Sequence, residues 1–223
     1  MIGTLGYQVS GKKVKTLNTT PDIISLSNIL NNAMNEKCEF AVLEVSSHAI
    51  YQKRIENIDF DLRILTNVSR DHLDYHKTIK SYQNTKKQFF LSEKRTKVII
   101  NIDDLVGREI INEGELRNHQ FISYAIDRDA DLKVINIVYK KNKMIFDFLW
   151  EKNAYQIKTN IFGKHNIYNL LSVIASLLNY EFPMGMIIKT IESLESIEGR
   201  NEVVYHNDNG TPQIIIDYAH TPD

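Results

Sequence analysis

Cysteine is nearly missing from this chain: Cys38 stands alone among 223 residues. A lone thiol closes no internal disulfide, which fits a reducing compartment. It lies in the polar run Asn35-Glu36-Lys37-Cys38-Glu39, a poor setting for a nucleophile. An excess of either charge is also missing. The 27 Lys and Arg oppose 28 Asp and Glu, for a net charge of −1, so no global field draws nucleic acid or an anionic membrane. No apolar run approaches the ~20 residues of a spanning helix, and no signal peptide opens the chain. Repeats and low-complexity segments are absent as well. What remains, 43% hydrophobic and 25% charged residues, suits a soluble cytoplasmic globular protein of one large domain, or one domain plus part of another, and a monomer is expected.

Strand-like and helix-like segments alternate through the first half. Thr20-Pro21-Asp22 reads as N-cap, Pro at N1 and an acid in the first turn, opening a helix with Ile23, Leu26, Ile29, Leu30, Ala33 and Met34 on one stripe. Short apolar runs follow at 40–43, 60–66 and 98–101, with a helix at 78–92 between the last two. Such alternation predicts a parallel sheet covered on both faces. Ligands bind beyond the carboxyl ends of such strands, and the polar clusters fall there. Residues 132–139, 144–150 and 155–161 alternate in polarity and read as a small antiparallel meander. Helical pattern returns at 166–178 and 184–194. Gly199-Arg200 breaks it, and two strand-like runs follow at 202–205 and 213–216. The fold class expected is α/β: a central domain over 1–198 with an antiparallel insert near 131–162, then over 199–223 the first strands of a second α/β domain.

Two polar loops carry the first candidate site. Glu44-Val45-Ser46-Ser47-His48 follows one apolar run, and Arg70-Asp71-His72-Leu73-Asp74-Tyr75-His76 follows the next. If those strands are neighbours, Glu44, Asp71 and His72 converge, a set suited to Mg²⁺ beside phosphate. Asp and His serve equally as loop and capping residues. In the following helix Ile79, Tyr82, Phe89 and Phe90 form an apolar stripe with Lys86 in its middle, while Lys80 and Lys87 point away. A lysine so placed either snorkels to water or is buried for a function. Burial favours a neutral amine, which can add CO₂ and become an anionic carbamate. Asn166 and Asn169 in Gly163-Lys164-His165-Asn166-Ile167-Tyr168-Asn169 share one side of a first helical turn. Their amides suit a purine, a phosphate or capping. Gly6 to Lys13 imitates a phosphate loop, but Lys13 has no hydroxyl for Mg²⁺ and no helix follows. Ser10-Gly11-Lys12 is expected to be a hairpin turn.

Taken in order, these blocks resemble the Mur ligase family, in the branch that adds the third residue of the peptidoglycan stem peptide. Beside the loops above, the resemblance rests on Gly3-Thr4-Leu5-Gly6-Tyr7, Asn18-Thr19-Thr20-Pro21-Asp22, Gly199-Arg200 and Asp217-Tyr218-Ala219-His220-Thr221-Pro222. It implies that ATP phosphorylates the carboxylate of UDP-MurNAc-L-Ala-D-Glu and that an amino acid's amine attacks the acyl phosphate. ADP and phosphate leave, with charge neutralised by Mg²⁺ and cationic groups. It assigns Glu44 and His72 to Mg²⁺, and Lys86 to a carbamate supporting a second Mg²⁺. Thr19, Thr20, Ser46, Gln52 and Arg54 fall at positions that hold the UDP-MurNAc-dipeptide. Asn166 and Asn169 fall at nucleotide-binding positions, with Arg200 and His220 near ATP. The family's phosphate loop is expected upstream of Gly3, and its amine-selecting domain beyond Asp223, so this segment alone is expected to be inactive. Two rivals are a non-catalytic remnant that binds the UDP-sugar and a metal-dependent hydrolase using Glu44, Asp71 and His72.

Overall fold

The protein is described from a computed structural model over residues 1–91, 96–112, 120–140, 143–195, 202–205 and 214–217. Its contacts divide it into two units, Met1–Phe60 with His72–Ser92, and Asp61–Asp71 with Glu93–Asp223.

The first unit opens with an antiparallel meander of β1 (Ile2–Gly3), β2 (Gly6–Val9) and β3 (Lys12–Val14). Val9 pairs with Lys12, and both residues between them have positive φ, 46° at Ser10 and 82° at Gly11. Such a two-residue turn matches the twist of its flanking strands. The phosphate-loop imitation is therefore a hairpin. Helix α1 (Ile23–Asn35) is capped by Asp22, whose carboxylate accepts from the backbone N–H of Ile24 and of Ser25, each at 3.0 Å. The cap thus lies two residues beyond Thr20, because the Thr20 hydroxyl is engaged elsewhere. Leu26 and Ile29 are buried and form the unit's core with Ile2, Val9 and Ile55. Ile23 and Met34, at the two ends of the stripe, are exposed.

The apolar run at 40–43 forms no buried strand. Leu43 makes a single parallel bridge to Ile2, flanked by Ile2 N–H to Val42 O and Glu44 N–H to Ile2 O, while Phe40 and Val42 are 55% and 64% exposed. β1 has only two residues, too few to extend the ladder. Three helices complete the unit: α2 (Ser47–Tyr51), α3 (Leu73–His76) and α4 (Ile79–Phe90), the last capped by the Thr78 hydroxyl. Tyr82, Thr85 and Phe90 are its buried residues, whereas Ile79 is exposed.

The second unit is built on one six-stranded sheet in the order β4 (Leu62–Leu65), β5 (Lys97–Asn101), β6 (Phe121–Ala125), β7 (Leu132–Lys140), β8 (Lys143–Trp150), β9 (Asn153–Thr159). The pairs from β4 to β7 are parallel and those from β7 to β9 antiparallel. The expected antiparallel meander forms, and β7 joins it to the parallel sheet. Helices α5 (Leu105–Asn112), α6 (Lys164–Asn179) and α7 (Met184–Glu192) flank it. Gly107 lies so near β5 that an added Cβ would stand 2.0 Å from Asn101 O. The core holds Ile99, Tyr124, Phe146, Phe148, Ile157, Ile167 and Leu171. β10 (Glu202–Tyr205) and β11 (Ile214–Ile216) pair with each other, outside that sheet. Among the described residues no helix is long and apolar enough to cross a membrane.

Candidate functional site

The five residues read as acceptor-binding lie in one hydrogen-bonded network of the first unit, together with Glu44. Thr20 is fully buried. Its hydroxyl donates to Glu44 O at 2.7 Å and accepts from Ser46 N–H at 3.0 Å. Ser46 Oγ then caps α2 by accepting from Ala49 N–H at 3.2 Å. Arg54 donates from Nη1 to Thr20 O at 2.8 Å, and from Nε and Nη2 to Gln52 Oε1 at 2.9 and 2.5 Å. Gln52 Nε2 extends the chain to Tyr75 Oη at 2.9 Å. Thr19 joins through Thr4, their hydroxyl oxygens 3.2 Å apart. Thr4 in turn donates from N and Oγ1 to Glu44 Oε2, at 3.0 and 2.7 Å. A cavity of about 480 Å³ beside Thr4 is lined by Leu5, Gly6, Lys13, Lys15 and Thr16.

Glu44 is exposed, and its Oε1 accepts no hydrogen bond among the described residues. Lys86 Nζ lies 3.4 Å from Val45 O, one residue along from Glu44. Lys86 is half-buried, as its place on the stripe predicts; Lys87 is half-buried too, and only Lys80 of the three lysines is exposed. His72 precedes α3 with φ 54°, a left-handed backbone uncommon outside glycine but one that histidine adopts more readily than most residues. Its ring meets His48 edge-on at a centroid distance of 5.0 Å. His48 also packs on Tyr75 at 4.1 Å and near His76 at 5.7 Å. His76 is buried, with Nε2 2.9 Å from Ser47 Oγ. Burial first, then the neighbouring His48 and His72, holds its pKa below the usual histidine range, so it is neutral at neutral pH.

Strand β4, which leads towards Asp71, pairs with β5, while Leu43 pairs with Ile2. The neighbour relation on which the Glu44, Asp71 and His72 convergence depended is therefore not found. Among the described residues no three His, Cys, Asp or Glu side chains gather as a metal cage. A Mg²⁺ ion does not require one, since it retains several waters and takes one or two carboxylates besides phosphate oxygens. The open Oε1 of Glu44 is a hard donor of that kind.

The second unit carries the two asparagines. Asn166 is buried and donates from Nδ2 to Phe162 O at 2.6 Å, leaving its Oδ1 to accept from Asn169 Nδ2 at 3.2 Å. Phe162 O can only accept, so the orientation of both amides follows, and Asn169, which is exposed, retains a side-chain carbonyl oxygen that accepts no hydrogen bond among the described residues. Lys164 pairs with Asp127 at 3.0 Å. Arg200 and His220 lie outside the described residues.

Sequence reasoning passed over several polar residues at the carboxyl ends of β4 to β6. Asn101 donates to Thr66 O at 2.8 Å. Asp104 caps α5 through Val106 N–H at 2.8 Å and holds Val68 N–H at 2.8 Å. Asp103 accepts from three backbone N–H groups and from the Tyr168 hydroxyl. Burial pushes its pKa up, but these four donors outweigh that and keep the carboxylate ionised below its usual range. Burial and the Asp103 charge push the Tyr168 hydroxyl well above a tyrosine's usual value, so it remains a donor. The signal was available: Asn101-Ile102-Asp103-Asp104 closes a buried strand with three polar residues.

The Mur ligase middle domain, as a family model, matches residues 1–177. The whole chain is 35% identical to the UDP-N-acetylmuramoyl-L-alanyl-D-glutamate–2,6-diaminopimelate ligase 1 of Clostridium acetobutylicum, covering 45% of that protein. It is also 35% identical to the corresponding L-lysine ligase of Staphylococcus aureus, again covering 45%. A solved structure of a UDP-N-acetylmuramoyl-L-alanyl-D-glutamate–2,6-diaminopimelate ligase superposes with a TM-score of 0.81 at 25% identity, over 99% of this chain and 45% of that one. The chain thus spans about half the length of the relatives it matches. With the match over most of its residues and the α/β sheet that carries them, this chain belongs to the Mur ligase family and carries the family's middle domain over residues 1–177.

Proposed function

We propose that the chain serves an ATP-dependent ligase of peptidoglycan synthesis, which joins an amino acid to UDP-MurNAc-L-Ala-D-Glu through an acyl phosphate. The observation that carries this is the single network joining Thr19, Thr20, Ser46, Gln52 and Arg54 to Glu44. Within it, three of the five N–H donors of Arg54 are engaged among the described residues, leaving two on a fixed planar fork for an anionic group of the dipeptide. Lys13 and Lys15 add positive charge to the adjoining cavity.

Glu44 and His72 would hold Mg²⁺, which neutralises phosphate charge when bound. Lys86, half-buried with Nζ 3.4 Å from the carbonyl of Val45, the residue after Glu44, supplies the amine that adds CO₂ and releases a proton to become a carbamate. Its anionic oxygens would support a second Mg²⁺. The open Asn169 carbonyl suits the exocyclic amine of adenine, and Arg200 and His220, which lie outside the described residues, are assigned near ATP. We assign residues from 199 onward to the start of another domain, a reading supported by the separate β10–β11 pair. Soluble nucleotide-linked substrates and the lone Cys38 thiol support work in the cytoplasm.

Equal identity to a diaminopimelate ligase and a lysine ligase supports a segment that handles ATP and the dipeptide rather than choosing the incoming amine. Calorimetric titration of the chain with UDP-MurNAc-L-Ala-D-Glu is the direct test. Saturable binding that exceeds binding of UDP-N-acetylglucosamine is expected; equal or absent binding of both defeats the reading.

A further inference from the structure

Helix α6 starts with no side-chain cap. Its N-cap is Gly163, at φ 102° and ψ 143°, so the first turn depends on tertiary partners for its position. Two straps hold it. The Tyr168 hydroxyl donates to Asp103 Oδ2 at 2.8 Å, and Lys164 pairs with Asp127 at 3.0 Å. Both straps lead to one carboxylate. Asp103, just beyond β5, accepts from the backbone N–H of Ile126 at 2.7 Å, of Asp127 at 2.9 Å and of Arg128 at 3.1 Å. It therefore ties the end of β5, the loop after β6 and the first turn of α6 to a single point. The straps differ in strength. Lys164 and Asp127 are 53% and 63% exposed, so water screens their attraction. The Asp103–Tyr168 bond is partly buried and involves an ionised acceptor, the stronger kind of hydrogen bond.

We propose that Asp103 and Tyr168 are positioning residues for a bound nucleotide, setting where the Asn169 amide stands without touching the ligand themselves. This rests on the reading of Asn166 and Asn169 as the nucleotide contact. Tyr168 immediately precedes Asn169, and the Asn169 amide is oriented through Asn166 and Phe162 O. Displacing the first turn moves that whole relay. The bond spans 65 residues of sequence, so it couples the turn to the sheet rather than to its own helix.

The test compares the unchanged chain with Tyr168→Phe and Asn169→Ala. Tyr168→Phe keeps the ring and removes only the hydroxyl, so it remains usable should Asp103→Asn fail to fold. Each protein is titrated with ATP and, separately, with UDP-MurNAc-L-Ala-D-Glu, and amide hydrogen exchange is followed along α6. For Tyr168→Phe the expected result is ATP binding weakened on the order of tenfold, as loss of one charge-assisted bond implies. UDP-MurNAc-dipeptide binding should be unchanged, and faster exchange confined to the first turn. ATP affinity within twofold of the unchanged chain, or equal losses for both ligands, overturns the inference. If Asn169→Ala weakens ATP while Tyr168→Phe does not, only the positioning role falls. If the unchanged chain binds no ATP, or Asn169→Ala has no effect, the nucleotide assignment falls and takes this inference with it.

Discussion

Gly3 and Glu44 are packed so closely that no side chain fits between them: a Cβ on Gly3 would stand 2.5 Å from both Cδ and Oε1 of Glu44. The glycine thus leaves room for the carboxylate on one side while Thr4 holds Oε2. Gly3→Ala should push the carboxylate away from Thr4 and weaken Mg²⁺ binding by about tenfold or more, taking loss of one or two charge-assisted bonds as the guide. Gly185→Ala is the control. Nothing lies within 4 Å of its added Cβ, and alanine in a helix should stabilise by about 0.5–1 kcal/mol. Metal titration and thermal unfolding read the two effects; unchanged Mg²⁺ affinity in Gly3→Ala would remove Glu44 from the metal site.

Arg54 and its neighbour Lys53 offer a second contrast. Lys53 is exposed and pairs with exposed Glu56 at 3.0 Å, an interaction of small consequence in water. Arg54 is locked into the Thr20–Gln52 network. Arg54→Ala should weaken UDP-MurNAc-dipeptide binding about 10–100-fold, and Lys53→Ala by less than about twofold. Equal effects in calorimetry would show that Arg54 does not meet the acceptor's anionic group.

For Lys86 the informative control is Lys80, since Lys87 is half-buried as well. In a ligase assay on the enzyme carrying this domain, Lys86→Ala should abolish turnover. Short carboxylic acids should restore part of it by standing in for the carbamate. Lys80→Ala should leave turnover unchanged. Near-normal activity in Lys86→Ala, or a defect in Lys80→Ala, would end the carbamate assignment.

Asp103 makes stability depend on acid. Its folded pKa lies below the ordinary 3.8 because four donors outweigh the upward push of burial. Its contribution is therefore fully present above pH 3.8 and is lost as the pH falls through the folded value. Denaturant unfolding as a function of pH should show a slope in that acid window. Tyr168→Phe, lacking one of the four donors, should have a shallower slope. An unchanged slope would mean the hydroxyl does not stabilise the ionised carboxylate.

Much of the local structure was legible. Thr78 caps α4 as the start of the 78–92 pattern implied, and alternation at 132–161 marked three real strands. β6 and α5 were missed. Phe121-Ile122-Ser123-Tyr124-Ala125 carries a buried Ser123 that binds Asp131 at 2.6 Å, so its polarity pattern imitates a loop. Thr20 was misread as a cap for the opposite reason: its hydroxyl has a distant partner, and the nearby Asp22 takes the cap.

What the sequence determined by itself are features whose hydrogen bonds close within a few residues, such as the Ser10-Gly11 turn, the start of α4 at Thr78 and the asparagine pair at i and i+3 of α6. Backbone φ preferences and local periodicity settle these before any distant contact forms. Only the tertiary structure decided that Leu43 pairs with Ile2, that Thr20 meets Glu44 across 24 residues, and that Asp103 meets Tyr168 across 65. Such contacts depend on which strand ends the fold brings together. A carboxylate's own neighbours in sequence do not identify the donor that will reach it from another element.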